Sequence, residues 1–174
     1  MVTAIPGLAL TEAGILAALD AVKDPEIPVV SVVELGIVQT VTVDGDAVRV
    51  VITPTFSGCP ALHVMRQEIE ACVLGLGARQ VTVDIKLDPP WSSDRITPAA
   101  RERMKAIGLA PPPPAARRAF QVDLALLPAE EAPPACPFCG SRDTALENAF
   151  GPTICRSIHY CHACQQPFEQ FKAL

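Results

Sequence analysis

CPFCG at residues 136–140 and CHAC at residues 161–164 are two Cys-x-x-Cys motifs, and they decide the fold of the C-terminal part of this chain. Together they offer four thiolates, the donor set of a tetrahedral metal site. The 21 residues between the motifs, 140–160, lie just beyond the usual gap of about 15 to 20 residues in a zinc ribbon. The segment is too small and polar to hold a core alone, so bound metal has to supply much of its folding free energy. We therefore expect a structural zinc site with the ligands Cys136, Cys139, Cys161 and Cys164.

The residues between and after the motifs predict a small antiparallel ribbon. Gly140 follows the first motif and suits the positive φ of a tight knuckle, whereas Gln165 takes that place after the second. Residues 143–150 and 154–161 are typical of two strands with Gly151-Pro152 at the bend, and residues 167–171 are suited to a third strand.

Three alternatives to structural zinc follow from the same cysteines. Disulfide bonds are disfavoured because residues 1–10 show no basic region and no long apolar run of a secretory signal, and because the cysteine total is odd, at 7. Iron in a rubredoxin-like site uses the same four sulfur atoms, and this alternative stays open. His159 or His162 in place of a cysteine is disfavoured because both knuckles are complete.

Composition indicates a cytoplasmic globular protein that binds neither nucleic acid nor membrane. The chain has 174 residues and a formal net charge of -5, and no apolar stretch is long enough to cross a bilayer. From Cys136 onward the fixed positive charges are Arg142, Arg156 and Lys172, too few for an electrostatic footprint on nucleic acid.

A proline-rich stretch predicts the domain organisation. Residues 111–114 are all proline, and Pro128, Pro133 and Pro134 follow, so we expect an extended linker over residues 109–134. The apolar alternation within residues 119–127 suggests an edge strand or a segment packed on either side. The predicted domains are therefore residues 1–108 and the ribbon at residues 135–174.

The N-terminal domain is predicted to be α+β, with the order helix, hairpin, helix, strand, helix and a three-stranded sheet. Thr11 caps a helix to about residue 23, and Ser31 with Glu34 forms a capping-box pattern in the loop that follows. The remaining elements are a hairpin of residues 37–43 and 47–53 turning at 44–46, a helix over 60–74, a strand over 81–87 and a helix over 98–108.

Cys59 is the thiol of interest in this domain. It precedes a predicted helix, whose unpaired N–H groups and positive dipole end favour thiolate, so it is a candidate nucleophile or metal ligand. A small residue filling a tight turn is the alternative explanation. His63 lies four residues along and can approach Cys59, although a single histidine on a helix is more often structural. Cys72 lies on the apolar side of the same helix and is predicted to be core.

At this point the sequence resembles a known family. Asp24-Pro25-Glu26, then Leu35-Gly36-Ile37-Val38, then Thr55-x-x-x-Cys59-Pro60 look like the signature of SufT-type iron-sulfur assembly proteins and of eukaryotic cytosolic iron-sulfur targeting factors. With the four-cysteine ribbon, Phe150-Gly151-x-Thr153-x-Cys155 and Pro167-Phe168 added, the whole chain resembles the PaaD (PaaJ) family of aerobic phenylacetate degradation.

The resemblance implies an accessory or maturation role beside phenylacetyl-CoA epoxidase, a di-iron oxygenase with an iron-sulfur reductase component. It marks Cys59, Asp24 and Glu26 as candidates for transient iron or cluster binding, for which incomplete ligation suits transfer. It also marks Cys155, which is a second transfer ligand, a fold residue or a reactive thiol; spacing places it on the same strand face as Cys161.

Conventional enzyme signatures are missing from the sequence. There is no glycine-rich phosphate loop, no nucleophile elbow and no Glu-x-x-His pair of a di-iron helix, so we expect a protein that is not itself an enzyme. Three hypotheses remain, in order: a maturation factor that loads the reductase with its cluster, a noncatalytic adaptor or regulatory component, and a thiol-based redox protein. Homo-oligomers through the exposed hairpin edge are a further possibility.

Overall fold

The computed structural model describes residues 10–56, 58–113 and 133–172. The chain divides into two compact units. The first comprises Met1–Trp91 and Arg95–Ala100, and the second comprises Ser92–Asp94 and Arg101–Leu174. The boundaries after residues 108 and 134 stay a prediction, and the apolar middle of the predicted linker, residues 119–127, lies outside the described residues. None of the helices in the described part of the chain is long and apolar enough to span a membrane.

The first unit begins with a short capped helix. Helix α1 covers Glu12–Leu19, and the Thr11 side chain accepts a hydrogen bond from Gly14 N at 3.1 Å, as the sequence predicted. The helix ends four residues before the expected residue 23. The reason is that Lys23 bridges to Ser31 instead, which carries the chain into the following loop.

A three-stranded sheet forms the centre of the first unit. Strands β1 (Val38–Asp44) and β2 (Ala47–Ile52) are antiparallel and turn at Gly45, whose φ is +60°. Helix α2 (Leu62–Gly75) then leads to β3 (Gln80–Ile85), which pairs with β2 in parallel. The buried apolar side chains of the first unit include Ile15, Leu19, Ile27, Leu35, Ile37, Val50, Ile52, Met65 and Ile69.

The loop between α1 and β1 is held by local hydrogen bonds. The Ser31 hydroxyl accepts from Glu34 N at 3.0 Å, and Glu34 Oε2 accepts from Ser31 N at 3.0 Å, so the predicted capping box is present. Gly36 follows with φ +68°, and a Cβ there would lie 2.3 Å from Arg95 Cβ. Only glycine permits this combination of backbone angle and close approach.

The second unit contains a four-stranded sheet in the order β4-β7-β6-β5. Helix α3 (Pro98–Ala106), which the two units share, precedes β4 (Leu109–Ala110). The ribbon strands are β5 (Thr144–Asn148), β6 (Arg156–Cys161) and β7 (Gln166–Phe171), and β6 pairs in antiparallel with both of the others.

The fold class predicted from the sequence, α+β with a three-stranded sheet and a C-terminal zinc-type ribbon, is confirmed. One strand was not foreseen: β4 pairs with β7 in parallel, although its two residues were assigned to the linker. Strands β5 and β6 are also shorter than expected, since β5 ends at Asn148 and β6 begins at Arg156. The Asn148 side chain accepts from Phe150 N at 3.0 Å, which turns the chain away from the ladder early.

Candidate metal centre and thiol site

The four knuckle cysteines form a compact sulfur cluster in the second unit. Their Sγ atoms all lie within 4.8 Å of one another, with Cys136 3.7 Å from Cys164 and Cys139 3.6 Å from Cys161. A tetrahedron with Zn–S bonds of about 2.3 Å has sulfur–sulfur edges of about 3.8 Å. The donor set and its spacing therefore fit zinc, whose role in such a closed four-sulfur site is structural.

The two knuckles share one backbone conformation. Gly140 N donates to Cys136 O at 2.9 Å, and Gln165 N donates to Cys161 O at 2.8 Å. Both donors have positive φ, +76° for Gly140 and +58° for Gln165. The second knuckle thus adopts the left-handed conformation without a glycine, so the positive φ has a cost of roughly 1 to 2 kcal/mol.

Backbone N–H groups and neighbouring sulfur atoms act on the thiols of the cluster. Hydrogen bonding from Cys164 N is the main influence that lowers the pKa of Cys161 to about 7. Desolvation and the other three sulfur atoms raise the pKa of Cys164 to about 12. Thiolates packed this closely oppose one another's ionisation, so a bound cation is needed for all four to be charged.

Cys59 lies three residues before the first residue of α2 in the first unit, and its side chain is half-buried. Helix α2 has no side-chain cap at Ala61; Leu62 N donates to the Cys59 backbone carbonyl at 3.3 Å, and the N–H groups of Ala61 and Leu62 favour the thiolate form of Cys59. The Cys59 thiol is therefore influenced by the unpaired N–H groups at the helix N-terminus, as the sequence predicted.

The sequence predicted a lowered pKa for Cys59, whereas in the structure the pKa is raised. Burial raises the pKa of Cys59, the Ala61 N–H opposes the rise, and the carboxylates of Glu26 and Asp24 raise it further. The helix N-terminus lowers the pKa as the sequence suggested, but its influence is smaller than that of desolvation together with two like charges. At neutral pH the group is a thiol rather than an activated thiolate.

The two acidic residues of the Asp24-Pro25-Glu26 loop differ in their surroundings. Asp24 is buried, and its Oδ1 accepts from Glu26 N at 2.8 Å and from Ile27 N at 2.9 Å, so this carboxylate shapes the loop. Glu26 is half-buried and is the stronger of the two electrostatic influences on Cys59. Within residues 10–56, 58–113 and 133–172, the only group of ligand atoms compact enough for a metal ion is the cysteine quartet.

Cys155 lies inside the second unit, just before β6. It is 6% exposed, and its Sγ lies 3.1 Å from Thr153 Oγ1. Alternate residues from Cys155 to Cys161 are buried, which agrees with the predicted shared strand face. Burial favours a fold role for this thiol over reaction with a client, and its assignment as a reactive thiol stays a prediction.

Among the described residues, neither a histidine nor Cys72 joins the four cysteines as a candidate metal ligand. His159 is buried, stacks on Phe168 with ring centroids 5.5 Å apart, and has Nε2 3.0 Å from Ser157 Oγ. Burial lowers the pKa of His159, and the Gln170 side chain opposes that shift. His63 and His162 are exposed. Cys72 is buried, as predicted, and its thiol lies 3.6 Å from Ala18 O.

Sequence reasoning missed the electrostatic link between the acidic loop and Cys59. More than thirty positions separate Glu26 from Cys59, so no local pattern joins them. The one signal was the shared motif of the resemblance. The only sequence signal for the strained backbone at Gln165 is that this residue stands where the first knuckle has Gly140.

Two family models match the chain in separate regions. The "PaaD zinc beta ribbon domain" matches residues 124–172, and the "Iron-sulfur cluster assembly protein" family matches residues 12–85. The first therefore contains the sulfur cluster, and the second contains Asp24, Glu26 and Cys59.

The chain is similar to several bacterial proteins. The chain is 39% identical over 160 residues to a subunit of the "Putative 1,2-phenylacetyl-CoA epoxidase" of Escherichia coli strain K12, covering 92% of both chains. It is 35% identical to an "Fe-S protein maturation auxiliary factor" of Porphyromonas gingivalis, covering 52% of this chain and 87% of the relative. A solved domain of unknown function, DUF59, from Bacillus anthracis is 32% identical with a TM-score of 0.48, covering 51% of this chain and 86% of that domain.

Proposed function

Because the chain belongs to the PaaD family, whose Escherichia coli relative is named as a phenylacetyl-CoA epoxidase subunit, we propose that it is a noncatalytic accessory protein that assists iron-sulfur cluster assembly for that epoxidase. The finer proposal is that its client is the iron-sulfur reductase component. One observation carries it: an iron-sulfur assembly domain and a PaaD ribbon share one chain, and the assembly domain presents a half-buried thiol under the electrostatic influence of two carboxylates.

The surroundings of Cys59 suit a cationic cargo better than a nucleophilic role. Glu26 and Asp24 disfavour the thiolate while the site is without a cation, and the same negative charges attract iron. Binding of iron or a cluster then releases the thiol proton. With one sulfur and no closed ligand shell among the described residues, the cargo is held incompletely, which favours its transfer to a client.

The test is to produce the epoxidase reductase with and without this protein and to measure its cluster content by absorbance and iron analysis. We expect higher cluster occupancy with the protein present. Cys59→Ser should abolish the gain while zinc content and the unfolding midpoint stay the same. The matched control is Cys72→Ala, which removes the buried thiol of the same unit. Full loading with Cys59→Ser would reject the carrier role.

A noncatalytic adaptor is the second candidate. It is favoured by large exposed apolar side chains on the ribbon: Phe138, Leu146, Phe150 and Ile154. Such side chains in proximity are typical of interaction surfaces. An adaptor leaves the cluster content of the reductase unchanged but co-purifies with the oxygenase, so the same experiment distinguishes the two functions.

A thiol redox function is disfavoured because neither Cys59 nor Cys155, the two candidate reactive thiols, has the properties of a reactive cysteine. The pKa of Cys59 is raised, and Cys155 is buried. A reversible disulfide, detected by alkylation and mass spectrometry, would restore this hypothesis.

A further inference from the structure

The second unit contains a cavity of about 400 Å³ on the face of the ribbon that bears Ser157 and His159. The cavity volume lies within the range of small-ligand pockets, about 300 to 1,000 Å³. It is separate from the four sulfur atoms, since none of the knuckle cysteines lines it. Nothing in the proposed function of Cys59 uses it.

The walls of the cavity are mainly apolar. Leu146 and Phe150 contribute side chains that are 58% and 66% exposed, and Pro113 and Pro134 line the cavity as well. Exposed apolar side chains grouped around a concave surface are typical of ligand-binding grooves. The occupant therefore has an apolar body.

Lys172 supplies the charge. Its ammonium lies 5.2 Å from the centroid of the Phe150 ring and donates to Ala149 O at 3.1 Å. Among the described lining residues it is the only charged side chain, and no carboxylate balances it. Among the described residues, Ala149 O is the one hydrogen-bond acceptor for the three N–H groups of Lys172, so the cavity favours a ligand with an anionic oxygen near this end.

His159 and Gln170 supply polar groups at the lining. His159 is 6% exposed, and among the described residues its Nδ1 has no partner within hydrogen-bond distance, although the Gln170 amide is close enough to influence its ionisation. A buried polar atom of this kind calls for an explanation. The Nδ1 atom is itself closed to solvent, so the polar groups of this lining that a ligand can use are the neighbouring Gln170 amide and the Lys172 ammonium.

We propose that this cavity binds a small organic acid, with the carboxylate at Lys172 and an aromatic or branched apolar body against Leu146 and Phe150. The direct test uses the zinc-loaded full chain and 3-phenylpropanoate, with 3-phenylpropanamide as the uncharged analogue. Binding is followed by calorimetry and by NMR shifts of the Leu146 methyl groups and the Phe150 ring. We expect a Kd of about 1 mM or lower for the acid. The amide should bind about tenfold more weakly.

Two substitutions make the test specific. Lys172→Met should weaken binding of the acid about tenfold, whereas Lys105→Met, which removes an exposed lysine paired with Glu102, should leave it unchanged. Leu146→Trp should abolish binding by filling the cavity. Zinc content and the amide NMR spectrum report whether each variant is folded.

Three results would overturn the proposal. One is the absence of saturable shifts at concentrations well above the expected Kd. Another is equal binding of the acid and the amide, or binding of the acid that Lys172→Met does not weaken. Either result would indicate nonspecific binding through the apolar body alone. The third is binding of a peptide with a free C-terminal phenylalanine but not of the small acid, which would assign the cavity to a polypeptide terminus.

Discussion

Opposing influences act on the pKa of the Cys59 thiol. Helix N–H groups stabilise the thiolate, while burial and the carboxylates of Glu26 and Asp24 favour the protonated form. Removal of one opposing charge therefore has a predictable sign, and it changes reactivity without removing the sulfur.

Glu26→Gln should lower the pKa of Cys59, because the larger of the two electrostatic contributions that raise it is lost. The pH profile of Cys59 alkylation should move to lower pH, and the rate at pH 8 should rise by about two- to fivefold, the range expected for a partly exposed charge pair. Peptide mass spectrometry separates Cys59 from the other thiols. Glu12→Gln, at an exposed position in α1, is the control, and a profile unmoved by Glu26→Gln would contradict the coupling.

Two glycines with similar backbone angles give a matched pair. Gly36 and Gly45 have φ of +68° and +60°, but a Cβ at Gly36 meets Arg95 at 2.3 Å, whereas a Cβ at Gly45 meets nothing within 4 Å. Gly36→Ala should lower the free energy of unfolding by about 3 kcal/mol or more, and Gly45→Ala by about 1 kcal/mol. Urea unfolding followed by Trp91 fluorescence measures both, and equal losses would show that steric crowding at Gly36 is relieved.

At the level of elements, the two knuckles differ in one residue that matters. Gln165 adopts φ +58° at an exposed position where the first knuckle has Gly140. Gln165→Gly should therefore stabilise the zinc-loaded ribbon by about 1 kcal/mol, since glycine removes the strain. Thermal unfolding with and without a chelator measures this gain. Gly140→Gln is the reciprocal variant and should lose a similar amount.

The ribbon should depend on its metal more than the rest of the chain does. Zinc contributes about 10 to 16 kcal/mol to the folding of small zinc-binding peptides, and the core shared by Cys136, Cys161, Phe168 and Ala110 is small. Chelation should therefore erase the amide signals of β5, β6 and β7 while the fluorescence of buried Trp91 persists. Cys136→Ser should mimic chelation, whereas Cys155→Ser should keep its zinc. Ordered ribbon strands without metal would refute this dependence.

For the whole molecule, the sequence predicted what local chemistry specifies. The Cys-x-x-Cys spacing fixed the sulfur cluster, and the alternation of apolar residues with Asp44-Gly45-Asp46 fixed the hairpin, because both depend on neighbours along the chain. The direction of the Cys59 pKa and the pairing of Leu109–Ala110 with β7 were not predictable in this way. Each depends on residues distant in sequence, and tertiary packing decides such contacts.

The short strand β4 has a consequence for dissection of the protein. Leu109 and Ala110 cover one side of β7, the side that would otherwise be a sheet border. A fragment that starts at residue 135 would leave the backbone N–H and C=O groups on that side of β7 unpaired. Unpaired groups of this kind form hydrogen bonds with strands of other molecules. Precipitation of such a fragment would then reflect the missing dipeptide rather than faulty zinc chemistry, and starting it upstream of residue 109 should restore solubility.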